Sequence, residues 1–257
     1  MIRIGTSGYS YEDWVGPVYP TGTDKRNFLS IYAQKYRTVE INYTYYRPPS
    51  ARTLAQMMAK TPDDFTFTLK ATNKMTHERS QDPDIYRQYS DALAPLIDGG
   101  KFGCILLQFP NSFKLHSDNV AHLVFIRQQW PQLPLVVEFR HRGWVEDEHT
   151  FDFLRQHRFG FCCVDQPQFS SLLPPIAFTT SDVAYVRFHG RNYNKWWKHD
   201  EAWERYDYLY SRDELREWLP RVRQLNTEAE TTYLFFNNHY RGSAAQNALE
   251  FAELFEG

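Results

Sequence analysis

Eight short apolar runs recur along the chain, each closing on polar residues: IRIGTSG, TVEIN, FTFTLKA, CILLQFP, LVVEFRH, FCCVDQP, AYVRFHG and TYLFFNNH. Between most of them the apolar residues fall at helical spacing. Phe28, Leu29, Ile31 and Tyr32 mark a helix over Asn27–Tyr36, and Ser50 caps one carrying Leu54, Met57 and Met58 that ends at Pro62. Further helices are predicted over Asp84–Ile97 (closed by Gly99 and Gly100), Asp118–Gln129 after a capping Ser117, and Glu148–His157. Ser211 and Glu214 form a capping box for a helix through Leu225, and Ala244–Phe255 is amphipathic. Strands that alternate with helices pair in parallel, so the pattern predicts an α/β fold, a single TIM-type (β/α)8 barrel over residues 1–257. The rhythm breaks twice. QPQFSSLLPPIAFTTSD, between the sixth and seventh strands, has turn formers and no helical period, which predicts an irregular crossover. Gly190–Tyr210, after the seventh strand, is an unusually long loop of the kind that covers or builds a barrel's site.

Side chains alternate across a strand, and one parity of these runs collects Arg3, Glu40, Asn42, Lys70, Gln108, Glu138, Arg140, Asp165, Arg187, His189, Asn237 and His239. The other parity is apolar. Barrel strands normally bury both faces, so polar groups gathered at strand C-termini mark a candidate site. Arg140, Arg187 and Lys70 suit an anionic group on a ligand. Glu40 and Glu138 are the candidate general acid and base, and His189 can shuttle a proton or bind a metal beside Gly190, which lets backbone approach a ligand. The bland alternative is an ion-pair network that closes the barrel mouth. In that case loss of Glu138 or Arg187 costs several kcal/mol of stability, whereas a ligand site tolerates it. A divalent metal held by some of Glu40, Glu138, Asp165, His189 and His239 is a further reading, although no local ligand motif supports it and neither metal nor cofactor is identified. A Schiff-base role for Lys70 is weighed too, against the expectation that acidic neighbours raise its pKa.

Composition narrows this picture. The formal charge of −2 gives no global argument for nucleic acid, so any such binding rests on a local patch. Three cysteines, Cys104, Cys162 and Cys163, all fall in predicted strands, where free thiols pack as small hydrophobes; they point to a reducing compartment, and the cytoplasm fits. No apolar run reaches membrane-spanning length and strand residues begin at Ile2, so neither a membrane segment nor a leader is expected. Aromatic residues make up 17%, enough to expect some around a ligand. In GTSGYSYEDW, backbone N–H groups can hold an anion while Tyr9, Tyr11 and Trp14 flank a planar or sugar ligand; the alternative is a turn with its rings packed inward. Arg191–His199 interleaves cations with Trp196 and Trp197, as nucleic-acid grooves do, but Asp200, Glu201 and Glu204 blunt the field, which favours a lid with both rings on the barrel.

The stretches GTSGYSYEDW, FLSIYAQKYRTVEINYTYYRPPSARTL, TPDDFTFTLKATNKMTH, ILLQFPNSF, VVEFRHRGW, VRFHGR and FFNNHYRGSAAQNA together resemble the YecE-like family, domain of unknown function 72 (DUF72). The resemblance spans nearly the whole chain. It implies a TIM-type barrel and no assigned activity. Matched position by position, the family's characteristic residues are Gly5, Ser7, Gly8, Trp14, Glu40, Asn42, Tyr46, Lys70, His77, Gln108, Glu138, Arg140, Trp144, Asp165, Arg187, His189, Gly190, Asn237, Asn238 and Asn247. Family members often carry an acidic residue soon after the paired asparagines, where this chain has His239. The reading these observations favour is a cytoplasmic enzyme, a hydrolase, lyase or isomerase, using acid–base or metal-assisted chemistry on a small polar anionic or sugar-like compound. Two alternatives stand beside it: a nucleic-acid-binding protein or phosphodiesterase with a barrel like that of abasic-site endonucleases, and a ligand-sensing barrel without turnover. Oligomeric state is not legible.

Overall fold

The computed structural model describes residues 1–257, the side chain at position 202 apart. All eight apolar runs are strands: β1 Ile2–Ser7, β2 Thr38–Ile41, β3 Thr66–Lys70, β4 Phe102–Gln108, β5 Leu135–Glu138, β6 Phe159–Asp165, β7 Val183–Phe188 and β8 Thr231–Phe236. They close in sequence order, with β8 paired in parallel to β1. Register brings the polar strand ends level, since Ser7 lies opposite Glu40 and Gln108 opposite Glu138. Every residue of β2, β5 and β6 is buried, the mark of strands covered on both faces.

The helices are α1 Phe28–Lys35, α2 Ala51–Met58, α3 Asn73–Thr76, α4 Pro83–Ala92, α5 Ala94–Asp98, α6 Ser117–Gln129, α7 Gly143–Glu146, α8 Thr150–Gln156, α9 Arg212–Arg216, α10 Leu219–Glu228 and α11 Ser243–Glu256. Where the sequence predicts one helix over 84–97 there are two. Pro95 has no N–H to give, so the chain turns at Leu93. Pro220 accompanies the similar break between α9 and α10, downstream of a complete Ser211–Glu214 capping box. The cap of α6 is His116 rather than Ser117, its Nδ1 accepting from the Asp118 N–H at 3.3 Å.

The crossover between β6 and β7 is irregular, and after β7 the chain makes its long excursion with a 3₁₀ turn at Ala202–Tyr206. Asp165 fastens that excursion at both ends. Its carboxylate accepts from Arg191 Nε and Nη2 (2.9 and 2.7 Å), from Tyr210 Oη (2.7 Å) and from Trp218 Nε1 (2.7 Å). Gly190 serves the same fastening. At φ +86° a side chain there would be strained and would press on Tyr208, and its N–H donates to Tyr210 Oη at 2.8 Å. The expected close approach of Gly190 to a ligand is thereby replaced by a close approach to the protein. All three cysteines are free and buried. Among the described residues no helix is long and apolar enough to cross a membrane.

Candidate functional site

The C-terminal ends of the strands open into a cleft of about 790 Å3. Its floor is Lys70, Gln108, Arg140, Arg187 and Asn237, its inner wall Tyr11, Tyr206 and His239, and its outer limb Lys25, Arg26, Tyr43, Tyr45, Tyr46, Arg47 and Lys60. Among the described residues seven cationic side chains line the cleft and no carboxylate does. The carboxylates lie one layer deeper. Arg187, from β7, donates through Nη1 to Glu138 Oε2 and through Nη2 to Glu40 Oε1, each at 2.7 Å. Tyr185 Oη donates to the other oxygen of Glu40 at 2.7 Å, and Arg140 Nε reaches Glu138 Oε1 at 2.9 Å. Ser7 Oγ lies 3.4 Å from Arg187 Nη2. Glu40 and Glu138 are fully buried and Arg187 nearly so, which means the arginine makes their burial tolerable.

His189 completes this layer. Its Nδ1 accepts from Asn237 Nδ2 at 3.1 Å, so the ring proton is on Nε2, facing Glu138 Oε1 at 3.2 Å. Burial, with Arg140 adding to it, pushes the imidazole down to about 3, and His189 is a neutral donor at any ordinary pH. Glu138 shows the opposite balance: burial drives its pKa up, but Arg140, Arg187 and His189 outweigh that and hold it well below the usual carboxylate range. Neither group is poised to exchange a proton near neutrality.

Lys70 differs. Its Nζ donates to Gln108 Oε1 at 2.7 Å and stands 4.4 Å from the centroid of the Tyr45 ring. Burial, together with Arg187, pulls the ammonium down to about 7; Glu138 and Glu40 oppose the shift, and Arg140 adds to it. The expectation that acidic neighbours raise this pKa is therefore reversed. Both carboxylates are committed to arginines, and what Lys70 meets is burial plus positive charge.

The remaining candidates divide. Asn42 and Tyr46 line the cleft, Tyr46 lying 83% exposed at its lip. His77 stands behind Tyr45, at 5.0 Å between rings, pushed to about 4 by burial, Lys70 and Arg140. Asp165 faces outward into its clasp on the excursion, away from the floor. Trp14 and Trp144 are buried, each donating Nε1 to a carbonyl at 2.7 Å, of His239 and Phe113 respectively. Asn238 points to α11, where its amide meets Asn247 Oδ1 at 2.9 Å. Trp196 is buried within 6.4 Å of the His189 ring, and Trp197 leans on Phe169 at 5.8 Å; of the excursion's aromatics it is Tyr206 that reaches the cleft. In the opening loop, Gly8 N–H donates to Glu40 O at 2.8 Å, which takes it out of any anion nest, while Tyr9 and Tyr11 do line the cleft. Of the five groups weighed as metal ligands, Glu138 and His189 touch directly, and among the described residues no group of three or more His, Cys, Asp or Glu could hold a metal ion.

The residues that sequence reasoning did not single out are Lys25, Arg26, Tyr43, Tyr45, Arg47 and Lys60 of the outer limb, Tyr206 on the inner wall and Tyr185 beneath the floor. The run NYTYYRPP, placed directly after β2 in a loop on the site-bearing face, was the available signal.

A family model described as "Protein of unknown function DUF72" matches residues 3–257. The UPF0759 protein YunF of Bacillus subtilis (strain 168) is 30% identical over 271 residues, covering 100% of this chain and 95% of that protein. Among solved structures, a DUF72 family protein from Thermotoga maritima is 42% identical with a TM-score of 0.92, covering 100% of both chains. One from Enterococcus faecalis is 27% identical with a TM-score of 0.90, covering 100% of this chain and 96% of that one.

Proposed function

The chain belongs to the DUF72 family of TIM-type barrels, and on that premise we propose that it is a cytoplasmic enzyme that binds a small polar anion and performs acid–base chemistry at Lys70. The observation that carries this reading is a cleft lined, among the described residues, by seven cations and no carboxylate, with Lys70 on its floor bonded to the neutral Gln108; burial and Arg187 pull that lysine down to about 7. An amine titrating near 7 is close to the optimum for a group that must both accept and return a proton at physiological pH. Arg47, over the Tyr43 ring at 5.2 Å, and Lys60, whose Nζ donates to the Arg26 carbonyl at 2.9 Å, form no salt bridge among the described residues and are the anion-gripping groups, and the tyrosines supply hydroxyls and ring faces for a sugar-like body. Glu40 and Glu138, first weighed as acid and base, become the counter-charges that fix Arg187 and Arg140. The metal-assisted version is dropped because no ligand set gathers among the described residues.

A second reading, nucleic-acid binding, draws on the outer limb alone, where four cations flank the exposed Tyr46. Calorimetric titration with glycerol 3-phosphate and with glycerol tests the main proposal. The phosphate ester should bind saturably, glycerol should not, and Lys70→Met should weaken the ester's binding; equal indifference to both ligands would reject it. A steep fall in affinity for an oligonucleotide as salt rises, without glycerol 3-phosphate binding, would favour the second reading.

A further inference from the structure

The environment of the Lys70 amine is built for more than proton transfer. Gln108 is fixed by its own Nε2, which donates to the Phe109 carbonyl at 2.7 Å, so Oε1 is the atom that faces Lys70 and takes one N–H. The Tyr45 ring covers a second side. The nearest carboxylates, Glu40 and Glu138, are held by Arg187 and Arg140, and no salt bridge to Lys70 forms among the described residues. What is left open to the amine is the cleft. A lysine tied by one neutral acceptor and in salt-bridge contact with no carboxylate among the described residues can offer its unprotonated fraction to the cleft as a nucleophile.

We propose that Lys70 forms an imine with an aldehyde or ketone that carries an anionic group. The proposal rests on the anion-binding reading above and adds a covalent step to it. The Nζ lone pair attacks the carbonyl carbon, forming a C–N bond as the C=O π pair moves to oxygen. Both protons of the neutral amine pass to that oxygen, which leaves as water, so that amine and carbonyl give imine and water. Protonation of the imine then puts a positive charge beside Arg187 and Arg140. A neutral carbonyl compound would leave that charge uncompensated, whereas a substrate with its own phosphate or carboxylate balances it, and this selects the substrate class. Burial and the two arginines, which pull Lys70 down to about 7, supply the free amine that the step requires; His77, Tyr45, Glu40 and Glu138 are the other titratable groups around it.

Reductive trapping tests the proposal. The intact protein is incubated at pH 7 with glyceraldehyde 3-phosphate and cyanoborohydride, whose hydride converts the imine to a stable secondary amine, and the modified lysines are located by peptide mapping. Lys70 should be labelled at least about tenfold faster than any of the other eight lysines, because ordinary lysines are almost wholly protonated at that pH. Glycerol 3-phosphate, which has the anion but no carbonyl, should protect it, and neutral glyceraldehyde should label it more slowly. Lys70→Met should lose the fast phase while retaining the wild-type melting temperature. If glycerol 3-phosphate binds but Lys70 is labelled no faster than the rest, the imine is wrong and the anion site stands. Absence of both binding and fast labelling overturns both, and equal labelling by neutral glyceraldehyde overturns the anionic substrate class.

Discussion

Replacing Arg187 by methionine removes the one group that both buried carboxylates share. In the folded protein Glu40 would keep the Tyr185 hydroxyl, and Glu138 would keep Arg140, His189 and the weak Cys162 thiol donor at 3.9 Å. Glu40, Glu138 and the arginine side chain are 0–3% exposed, so water cannot replace what is lost. Breaking such a pair by removing one partner costs about 3–5 kcal/mol, because the surviving charge stays buried. For a chain of this size each kcal/mol lowers the melting temperature by about 2–4 °C, so Arg187→Met should melt roughly 6–20 °C below wild type. The structure thus revises the expectation that a ligand site would tolerate this change: Arg187 belongs to the supporting layer as well as to the floor. Adding Glu40→Gln removes the stranded carboxylate and should return part of the loss, with a coupling of about 1–3 kcal/mol in a double-mutant cycle. Thermal unfolding followed by circular dichroism for the four proteins provides the numbers. An Arg187→Met melting point within a degree or two of wild type, or no coupling to Glu40→Gln, would refute the reasoning.

Two further outcomes follow from the same layer and its clasp. His189, held at about 3, should be neutral in the fold while its unfolded counterpart titrates near 6.5, so the unfolded chain binds the extra proton between those values and stability falls as pH drops through that window. His189→Gln should flatten the slope between pH 6 and 5 by up to about 1.4 kcal/mol per pH unit in urea titrations, leaving the comparable contributions of His77 and His239, both pushed down to about 4; an unchanged slope would contradict the neutral assignment. Asp165→Asn should cost about 2–3 kcal/mol and speed amide exchange across residues 190–210 while barrel strands stay protected. Uniform exchange across the whole chain would instead deny it a local clasp.

Strand positions were legible because buried parallel strands leave continuous apolar runs, and the floor was legible because polar residues end those runs. Parity failed at Asp165. Along FGFCCVD every position is buried and two small cysteines sit side by side, so hydrophobicity does not tell inside from outside; Cys162 turns toward Glu138, at 3.9 Å, and Asp165 consequently turns out. The two prolines that split helices, Pro95 and Pro220, were visible but sat inside otherwise good helical periods. Lys70 was found as a residue, but its pKa was expected to rise where burial and Arg187 lower it, since the shift depends on which cations claim Glu40 and Glu138, a matter of three-dimensional pairing. The outer limb escaped notice because Lys25, Arg26 and Lys60 read as ordinary surface charge until folding brings them beside the loop after β2.

The account turns on the ionisation of Lys70, which can be read directly. With 13Cε-labelled lysine, each of the nine lysines gives a resonance whose shift reports its own titration. One resonance, absent from Lys70→Arg, should inflect near pH 7, where burial and Arg187 pull the Lys70 amine. If the Lys70 resonance instead shows no inflection until above pH 10, the amine is an ammonium throughout the physiological range, and both the acid–base and the imine chemistry assigned to this cleft are contradicted.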